Sequence, residues 1–322
     1  MLRARITRLI KNHGVRGIIR GVSAQVRLIR RARLLSKEAS KREAIYQARL
    51  KKGPIGDDGL IEIPVNDYRM KVPAADTGLA RDLIIDGIRE EGATHMMNRL
   101  LNRKMTVLEI GANLGYYVLL EAMLLPEGSE IFAFEPHPSN VATLRKNLAI
   151  NETMCNVGIF QMALSDKVGT AKLIVEGVSN HHHLGSSETG NGGRQHIEVA
   201  TTTVDRFCAE RGIKNVDLMR MDVEGHEVEI IAGAERILTQ SDNPIVFLEI
   251  HTSLIRKRGL DPLDLLRQME RVGLNIFAFT GHRGTPNRIE PLSWGYLYDN
   301  LPFLLADHGA HIFLARDPRA LS

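Results

Sequence analysis

Two acidic residues and two glycines are spaced in a way that could bind a nucleotide-like cofactor. Residues 107–115 read V-L-E-I-G-A-N-L-G, and Glu135 lies 20 positions beyond the last glycine. Gly111 and Gly115 allow the backbone to turn sharply, so that a ligand can approach the amide groups at the start of the following helix. Glu109 and Glu135 place carboxylates near that turn, and a carboxylate can accept hydrogen bonds from both hydroxyl groups of a ribose. The spacing therefore predicts a ribose-bearing cofactor.

The glycine loop differs from the loop that binds nicotinamide dinucleotides. Such a loop reads G-x-G-x-x-G, whereas this one reads G-A-N-L-G, with Asn113 where the middle glycine would stand. The order of strand, acid, glycine turn, helix and second acid resembles the first two motifs of class I S-adenosylmethionine-dependent methyltransferases. In those enzymes the first acid and the glycines hold the methionine end of the cofactor, and the second acid holds the ribose. The resemblance implies that Glu109 and Glu135 serve S-adenosylmethionine.

Two more predicted strands end in acidic residues. Asp222 and Glu224 follow one of them, and Glu249 with His251 ends the other. Because ligands bind outside the carboxyl ends of the strands in an open parallel sheet, these residues are candidates for the reacting end of the site. Glu249 and His251 are two positions apart and share a face of their strand, where either can serve as general base. The alternatives are a hydrogen-bonded structural role for His251 and, for the acids of D-V-E-G-H-E, stabilisation of a helix dipole.

Three consecutive histidines, His181, His182 and His183, lie in a polar, glycine-rich stretch from residue 179 to 195. Three adjacent side chains of an extended loop cannot all face one ion, so the sequence predicts no metal site. The loop can instead fold over the substrate as a lid, with one of the histidines in contact with the substrate.

The elements that must position these residues follow from the apolar patterns. Strands and helices alternate from residue 106 onward, and we expect a Rossmann-like α/β fold with a doubly wound, mostly parallel, seven-stranded sheet. Two runs between residues 170 and 204 alternate in polarity and predict an inserted β-hairpin. The expected strands lie at 106–110, 130–135 and 157–162, in D-L-M-R-M-D and P-I-V-F-L-E-I-H, and near Ile276 and Ile312; the expected helices lie at 115–125, 138–150, 228–238 and 262–272.

The first 52 residues differ sharply in charge from the rest of the chain. They contain 16 Lys or Arg residues against Glu38 and Glu43, a net charge of +14, while the remainder carries 26 basic and 36 acidic residues, a net charge of −10. Apolar residues recur there at three- and four-residue steps between arginines, which predicts a basic amphipathic helical arm over residues 1–52. The favoured role is docking on an anionic membrane. A solvated or partner-packed extension and a mitochondrial transit peptide are alternatives.

The breaker segment G-P-I-G-D-D-G, residues 53–59, separates this arm from the body. Residues 53–105 are expected to form a β-ribbon and then one helix from Ile84 to Leu101, and residues 106–322 to form the class I methyltransferase domain. The sequence has no run of 18 apolar residues, and Cys155 and Cys208 lack partners at disulfide or metal-ligand spacing. We expect a cytoplasmic protein with peripheral contact at the inner membrane surface.

Eight sequence blocks together resemble the FkbM family of methyltransferases. In chain order they read L-E-I-G-A-N-L-G-Y-Y, F-A-F-E-P-H-P, L-R-K-N-L, A-L-S-D, T-T-V-D, M-D-V-E-G-H-E, G-A-E-R-I-L and F-L-E-I-H, and they cover residues 107 to about 251. The family pattern usually has Asp where this chain has Glu109 and Lys where it has Arg220, and both differences conserve charge. The resemblance does not extend to the basic arm.

The matching motifs imply a role for each residue of the site. The resemblance places Gly111, Asn113 and Gly115 around the methionine moiety, Glu135 at the ribose, Ser165 with Asp166 at the adenine edge, and Asp222 with Glu224 in the methyl-transfer crevice. Similar proteins mostly methylate hydroxyl oxygens of sugars or natural products.

The expected activity is therefore S-adenosylmethionine-dependent O-methylation of a sugar hydroxyl on a glycan, glycolipid or natural product. Two other functions fit parts of the sequence. The basic arm could clamp nucleic acid for an RNA or DNA methyltransferase, although the body is acidic and the arm has no aromatic residue before Tyr46. The fold could also serve as a nucleotide-binding or assembly module without catalysis.

Overall fold

The computed structural model describes residues 36–175, 182–185, 195–281, 310–317 and 319. The chain divides into two compact units, residues 1–54 and 55–322. In the first unit the structure describes one helix, α1, over residues 36–52, and residues 1–35 of the predicted amphipathic arm lie outside the described residues. No helix within the described ranges is long and apolar enough to cross a membrane.

The second unit alternates strands and helices. In chain order it contains β1 (Leu60–Val65), β2 (Tyr68–Pro73), α2 (Leu79–Asp86), α3 (Glu91–Leu100), β3 (Thr106–Ile110), α4 (Tyr116–Leu124), β4 (Glu130–Phe134), α5 (Pro138–Ala149), β5 (Asn156–Phe160), β6 (Ala163–Leu164), β7 (Gly169–Ile174), β8 (His183–Gly185), β9 (His196–Thr202), α6 (Val204–Glu210), β10 (Leu218–Met221), α7 (Glu227–Ala232), α8 (Glu235–Gln240), β11 (Ile245–Ile250), α9 (Thr252–Lys257), α10 (Pro262–Arg271), β12 (Asn275–Gly281) and β13 (Ala310–Ala315).

A seven-stranded sheet forms the centre of this unit, with the order β12-β13-β11-β10-β3-β4-β5. Strands β11, β10, β3, β4 and β5 are parallel, and β13 runs antiparallel to both of its neighbours. The predicted doubly wound, mostly parallel sheet is confirmed. Its strands are nearly continuous apolar runs because helices cover both faces.

Alternate residues of each strand serve different layers. Leu108, Met219 and Leu248 belong to the larger core cluster, together with Phe207 of α6 and Leu266 of α10. The residues that alternate with these along each strand point to the opposite face of the sheet, where α4 lies. Glu109 and Arg220 lie on that second face, in register with one another, so this face carries buried charge.

Two helices occupy the stretch where the sequence predicts one helix from Ile84 to Leu101, and that prediction is wrong. Gly87 ends α2 in the left-handed region at φ +70° and its N–H donates to the carbonyl of Leu83. Glu90, which precedes α3, is also left-handed at φ +47°. Residues 87–90 therefore form a turn and not a helix. The predicted helix over 228–238 is likewise divided, into α7 and α8, at Gly233.

The inserted segment is a second sheet with the order β6-β9-β7-β8. The predicted antiparallel pairing is present between β7 and β9. The stretch from residue 179 to 195 is not entirely loop, because β8 pairs with the other edge of β7. Leu184 of β8 packs against the small apolar cluster of Ala163, Leu173 and Val199, and that burial explains why a strand forms in a polar stretch.

Candidate active site

The carboxyl ends of four neighbouring parallel strands bring the predicted residues together. Glu135 follows β4, Gly111 follows β3, Asp222 follows β10 and His251 follows β11. The chain continues from β3 to β4 on one side, whereas β10 lies on the other side, so the direction of strand order changes between β3 and β10. Ligands of open α/β sheets bind at such a switch point.

Gly111 fixes the spacing of the two central strands. Its φ is +84°, and a Cβ at this position would lie 2.0 Å from the carbonyl oxygen of Asp222. The N–H groups of Gly111 and Ala112 both donate to the carbonyl of Phe134 at 2.9 Å. Only glycine combines this left-handed conformation with so close an approach to the Asp222 carbonyl. Backbone contacts to β4 and β10 therefore hold the turn.

Asn113 and Gly115 complete the turn into α4. Asn113 is left-handed at φ +50°, a conformation that Asn adopts more readily than most residues. Gly115 has φ +94°, and a Cβ there would lie 2.3 Å from Leu144 Cδ1 of α5. Gly115 therefore lets α4 and α5 pack closely.

An open pocket of about 630 Å³, its mouth included, lies at the switch point. The predicted residues that line it are Gly111, Asn113, Glu135, Asp222, Glu224, His182 and His183, and the apolar part of the wall includes Phe134, Met162 and Leu164. The predicted residues that do not line it are Glu109, Gly115, Ser165, Asp166, Glu249 and His251, while His181 lies outside the described residues.

Glu135 links the end of β4 to the glycine turn. Its Oε2 accepts a hydrogen bond from the backbone N–H of Asn113 at 2.8 Å, and its Oε1 accepts one from the N–H of His137 at 2.8 Å. The side-chain amide of Asn140 is 3.4 Å from the same Oε1. Burial raises the pKa of Glu135 to about 7, although the hydrogen bonds from His137 and Asn113 oppose the rise. The carboxylate is thus oriented before any ligand binds.

Glu109 is turned away from the pocket and towards Arg220. It is the penultimate residue of β3, so strand alternation points it under α4, whereas Ile110 lines the pocket. Its Oε1 accepts a hydrogen bond from Arg220 Nη1 at 2.6 Å, and the side chain is fully buried. Arg220 also donates to Asp222 Oδ2 at 3.1 Å and lies over the ring of Tyr117. Glu109 therefore positions Arg220, and Arg220 in turn positions Asp222.

Ser165 does not line the pocket, but it contacts a histidine that does. The sequence had not singled out this histidine. The Ser165 hydroxyl is 2.9 Å from His226 Nε2 and donates to Asp166 Oδ1 at 3.0 Å. His226 lines the pocket, and burial lowers its pKa below the usual range. A signal was available, because His226 is the histidine of the D-V-E-G-H-E block.

His251 stands at the centre of an acidic cluster. Its Nδ1 lies 2.7 Å from Glu227 Oε1. Its Nε2 lies 3.6 Å from both Glu224 Oε2 and Glu249 Oε1, and 3.9 Å from Asp222 Oδ1. Burial lowers the pKa of His251, but the hydrogen bond with Glu227 and the surrounding carboxylates outweigh it and raise the pKa well above the usual range. The sequence-based grouping of Glu249 with His251 on one face matches these distances.

The four carboxylates around His251 differ in their surroundings. Glu224 lines the pocket, and burial raises its pKa to about 8 against the opposing effect of His251. Glu249 is buried, with its Oε2 3.3 Å from His311 Nε2. Glu227 begins α7 and is completely buried, where it accepts hydrogen bonds and orients His251. Of the two bases predicted, His251 lies beside two carboxylates that line the pocket, whereas Glu249 is buried.

Within the part of the chain that the structure describes, two groups of side chains bring possible metal ligands together, although the sequence predicts no metal site. The donor atoms of Asp222, Glu224 and His251 lie within 4.8 Å of one another, and so do those of Glu90, Glu249 and His311. Mixed carboxylate and imidazole donors of this kind can hold a divalent cation. Neither group includes the consecutive histidines.

The histidine run contributes to the pocket wall. The ring of His182 packs against that of His137, with centroids 4.3 Å apart and the ring planes tilted by 36°. His183 is the first residue of β8 and lines the pocket beside it. The inserted sheet therefore covers the side of the pocket formed by Glu135 and the residues after it.

Three charged residues near the site were missed by the sequence reasoning. Arg89 lies 3.5 Å from Asp222 Oδ2, and Glu90 lies next to it in the turn between α2 and α3. His311 is in the last strand of the sheet. Each has a partner more than 60 positions away in the chain, namely Asp222 for Arg89, His311 for Glu90 and Glu249 for His311. No local motif marks these residues.

Comparisons with known proteins agree with this geometry. The methyltransferase FkbM domain matches residues 109–275, just over half of the chain. The 2-O-methyltransferase NoeI of Sinorhizobium fredii is 30% identical over 148 residues, which cover 42% of this chain and 59% of that protein. The 31-O-demethyl-FK506 methyltransferase FkbM of Streptomyces tacrolimicus is 28% identical over 156 residues, covering 40% of this chain and 59% of that protein.

A third relative is the hexuronic acid methyltransferase AglP of Haloferax volcanii, which is 26% identical over 168 residues, covering 52% of this chain and 62% of that protein. The chain thus spans about 60% of the length of the curated relatives that it matches. The matched segment contains the glycine turn, Glu135 and the acidic cluster around His251. The chain belongs to the FkbM family of methyltransferases.

Proposed function

We propose that this protein is an S-adenosylmethionine-dependent O-methyltransferase that acts on a sugar hydroxyl of a glycan, glycolipid or natural product. One observation carries the proposal. A single pocket has an oriented carboxylate, Glu135, beside a glycine turn in one part of its wall, and Asp222 with Glu224 in another. A donor and an acceptor can therefore meet in one crevice.

The residues fit the cofactor. Glu135 has a carboxylate directed by backbone amides, which suits the two hydroxyl groups of a ribose. Phe134, Met162 and Leu164 provide an apolar wall for adenine, with His226 and Ser165 at its edge. S-adenosylmethionine bound here would supply an electrophilic methyl group.

His251 is the proposed general base. Glu227 holds its Nδ1, so that its Nε2 faces the carboxylates of Asp222 and Glu224. A neutral Nε2 can accept the proton of a hydroxyl group as that oxygen forms a bond to carbon. Because the pKa of His251 is raised, this step requires loss of its proton first, and turnover should increase with pH in the alkaline range.

The choice of a hydroxyl acceptor rests on the relatives. One is named a 2-O-methyltransferase, one acts on 31-O-demethyl-FK506, and one is named for hexuronic acid. Alcohol oxygens are weak nucleophiles that benefit from a positioned base, and His251 with Glu227 provides that arrangement. These features support oxygen as the methylated atom.

Calorimetric titration with S-adenosylhomocysteine tests the proposed cofactor. Glu135→Ala removes a charged acceptor, and a hydrogen bond to a charged group contributes about 1.5–3 kcal/mol, so the dissociation constant should rise roughly ten- to a hundredfold. Glu130→Ala is the matched control, because Glu130 is exposed at the opposite end of the same strand. Equal affinity of Glu135→Ala and the wild type, or no binding by the wild type, would contradict the proposal.

We also propose that residues 1–52 hold the protein at the inner surface of an anionic membrane. The arm carries a net charge of +14, and each Lys or Arg near an anionic surface contributes about 1 kcal/mol. Full-length protein in which Arg30, Arg31 and Arg33 are changed to Gln should sediment less with vesicles that contain phosphatidylserine. Neutral phosphatidylcholine vesicles are the control, and equal sedimentation of both proteins with the anionic vesicles would refute membrane docking.

A further inference from the structure

A second and smaller cavity borders the glycine turn. Its volume is about 260 Å³, its mouth included, and it shares Gly111, Asn113 and Asp222 with the pocket that Glu135 lines. The rest of its wall consists of a small residue, an aliphatic side chain, two aromatic rings and two guanidinium groups, from Ala112, Leu79, Tyr116, Tyr117, Arg89 and Arg220. We call this space the arginine cavity. A ligand in the pocket can extend into it past the glycine turn.

Arg220 brings a buried hydrogen-bond donor to this cavity. Its side chain is only 3% exposed, its Nη1 donates to Glu109 at 2.6 Å and its Nη2 donates to Asp222 at 3.1 Å. Its Nε is buried and has no acceptor among the residues that the structure describes. Because buried polar groups are nearly always hydrogen-bonded, a donor of this kind indicates a partner that is not part of the chain.

Arg89 has further donors available. Its Nε forms an ion pair with Glu90 Oε1 at 2.5 Å, and its Nη2 lies 3.5 Å from Asp222 Oδ2, at the limit of a hydrogen bond. Within the described part of the chain, no residue accepts a hydrogen bond from its Nη1. The side chain is 17% exposed. The guanidinium group is therefore largely withdrawn from water and can still bind an anion in the cavity.

The backbone of Arg89 is fixed against the start of α4. Its N–H donates to Tyr116 Oη at 3.1 Å, and its carbonyl accepts a hydrogen bond from Thr94 Oγ1 at 2.7 Å. Tyr116 is the first residue of α4 and directly follows the glycine turn. The turn between α2 and α3 is thus tied to the glycine turn, and this contact keeps Arg89 in the cavity wall.

The chemistry of the cavity fits one end of the proposed cofactor. Guanidinium groups bind carboxylates well because their parallel N–H donors match two acceptor oxygens and the hydrogen bonds are charge-assisted. On the side of its sulfur away from the ribose, S-adenosylmethionine carries a short apolar chain that ends in an α-carboxylate and an ammonium group. Leu79 and the tyrosine rings suit the methylene groups, and the Asp222 carboxylate can accept a hydrogen bond from the ammonium group.

We propose that Arg89 binds the α-carboxylate of the cofactor in the arginine cavity, while Glu135 binds its ribose in the pocket. This inference rests on the proposed cofactor. Arg89 precedes the segment that the FkbM domain matches, residues 109–275. The turn between α2 and α3 therefore completes a cofactor site whose other residues lie within that segment.

Calorimetric titration of the full-length protein with two ligands tests this contact. S-adenosylhomocysteine carries the α-carboxylate, and S-adenosyl-3-thiopropylamine is the same molecule without it. The wild type should bind S-adenosylhomocysteine roughly ten- to a hundredfold more tightly, as expected for hydrogen bonds between charged groups. Arg89→Met should bind the two ligands nearly equally, because the carboxylate has lost its partner. The change in preference isolates the contact between Arg89 and the carboxylate from other effects of the substitution.

Three further variants separate this contact from general damage to the site. Arg99→Met makes the same change on the exposed face of α3 and should keep the preference of the wild type. Glu135→Ala should weaken both ligands by the same factor, because both contain the ribose. If Arg89→Met does not fold, Arg89→Lys decides. Lysine retains the positive charge but lacks the planar pair of donors, so the preference should fall several-fold.

Equal affinity of the wild type for the two ligands would overturn the inference and would leave the cavity to another anion, such as a carboxylate of the acceptor. An unchanged preference in Arg89→Met or Arg89→Lys would overturn it as well, as would an equal loss of affinity for both ligands. Failure of the wild type to bind either ligand would refute the proposed cofactor itself. Binding of S-adenosylhomocysteine by the wild type, with the preference unchanged in the Arg89 variants, would refute only the role of Arg89.

Discussion

Glu121 is a buried carboxyl group whose replacement should stabilise the protein. It lies on α4, is completely inaccessible to solvent and faces Glu109. Burial, followed by the charge of Glu109, raises the pKa of Glu121 well above its ordinary value of 4.5. Glu121→Gln keeps the size of the side chain and can donate an amide N–H towards Glu109, but it has no proton to lose.

The sign of the effect follows from proton binding in the two states. Above pH 4.5 the unfolded chain releases the proton of Glu121, whereas the folded protein retains it. Because the folded state then binds more protons, the stability of the wild type falls as pH rises, by up to about 1.4 kcal/mol per pH unit. The Glu121→Gln variant does not lose stability in this way, because glutamine has no proton to release. Between pH 5 and 7 the variant should gain about 2–3 kcal/mol over the wild type.

Equilibrium unfolding in urea at pH 5, 6, 7 and 8 measures this difference. The free energies of unfolding of Glu121→Gln and the wild type should diverge as pH rises. Glu130→Gln provides the control, since the same change at an exposed position should give a constant difference near zero. A difference between Glu121→Gln and the wild type that stays constant across this range would refute the reasoning that Glu121 is buried in its protonated form.

Two other substitutions probe the site. His251→Asn should reduce methyl transfer to glycan and lipid extracts of a deletion strain by roughly 10²- to 10⁴-fold, with S-adenosylhomocysteine affinity within about twofold of wild type, as measured by calorimetry; normal turnover would exclude His251 as the base. Gly111→Ala should abolish cofactor binding and lower the unfolding free energy by more than the 1–2 kcal/mol expected for a left-handed alanine, because its Cβ would lie 2.0 Å from the Asp222 carbonyl. Gly212→Ala has a similar φ and no atom within 4 Å, so equal losses in both variants would contradict the proposed clash.

The main sheet was predictable because its signals are local. Continuous apolar runs end in polar residues, and a glycine turn follows β3, so the positions and the parallel arrangement of β3, β4 and β5 agree with the sequence. The break between α2 and α3 was less accessible. Gly87 is an ordinary helix terminator, but Glu90 is a left-handed residue other than glycine, and its contact with His311 joins residues that are distant in the sequence.

The candidate site likewise contains residues that the local sequence predicts and residues that it does not. Glu135, Asp222 and Glu224 could be placed in the pocket because each follows the end of a strand. The direction of the Glu109 side chain could not be predicted from its motif, since it depends on which strand residue is last and on Arg220 in the neighbouring strand. His311 is separated from Glu249 by more than 60 residues, and only the antiparallel pairing of β13 brings them together.

The close approach of Gly111 to Asp222 has a consequence for how this protein can diverge. The turn proposed to hold the cofactor and the residue proposed to meet the acceptor are in backbone contact, so neither can shift without the other. A change of acceptor must then arise in parts that are free to vary around this fixed centre. The inserted sheet, in which His183 begins β8, borders the centre without being part of it. Insertions or substitutions in this region can change which acceptor fits. The distance between the proposed cofactor turn and the residue proposed to meet the acceptor then stays the same.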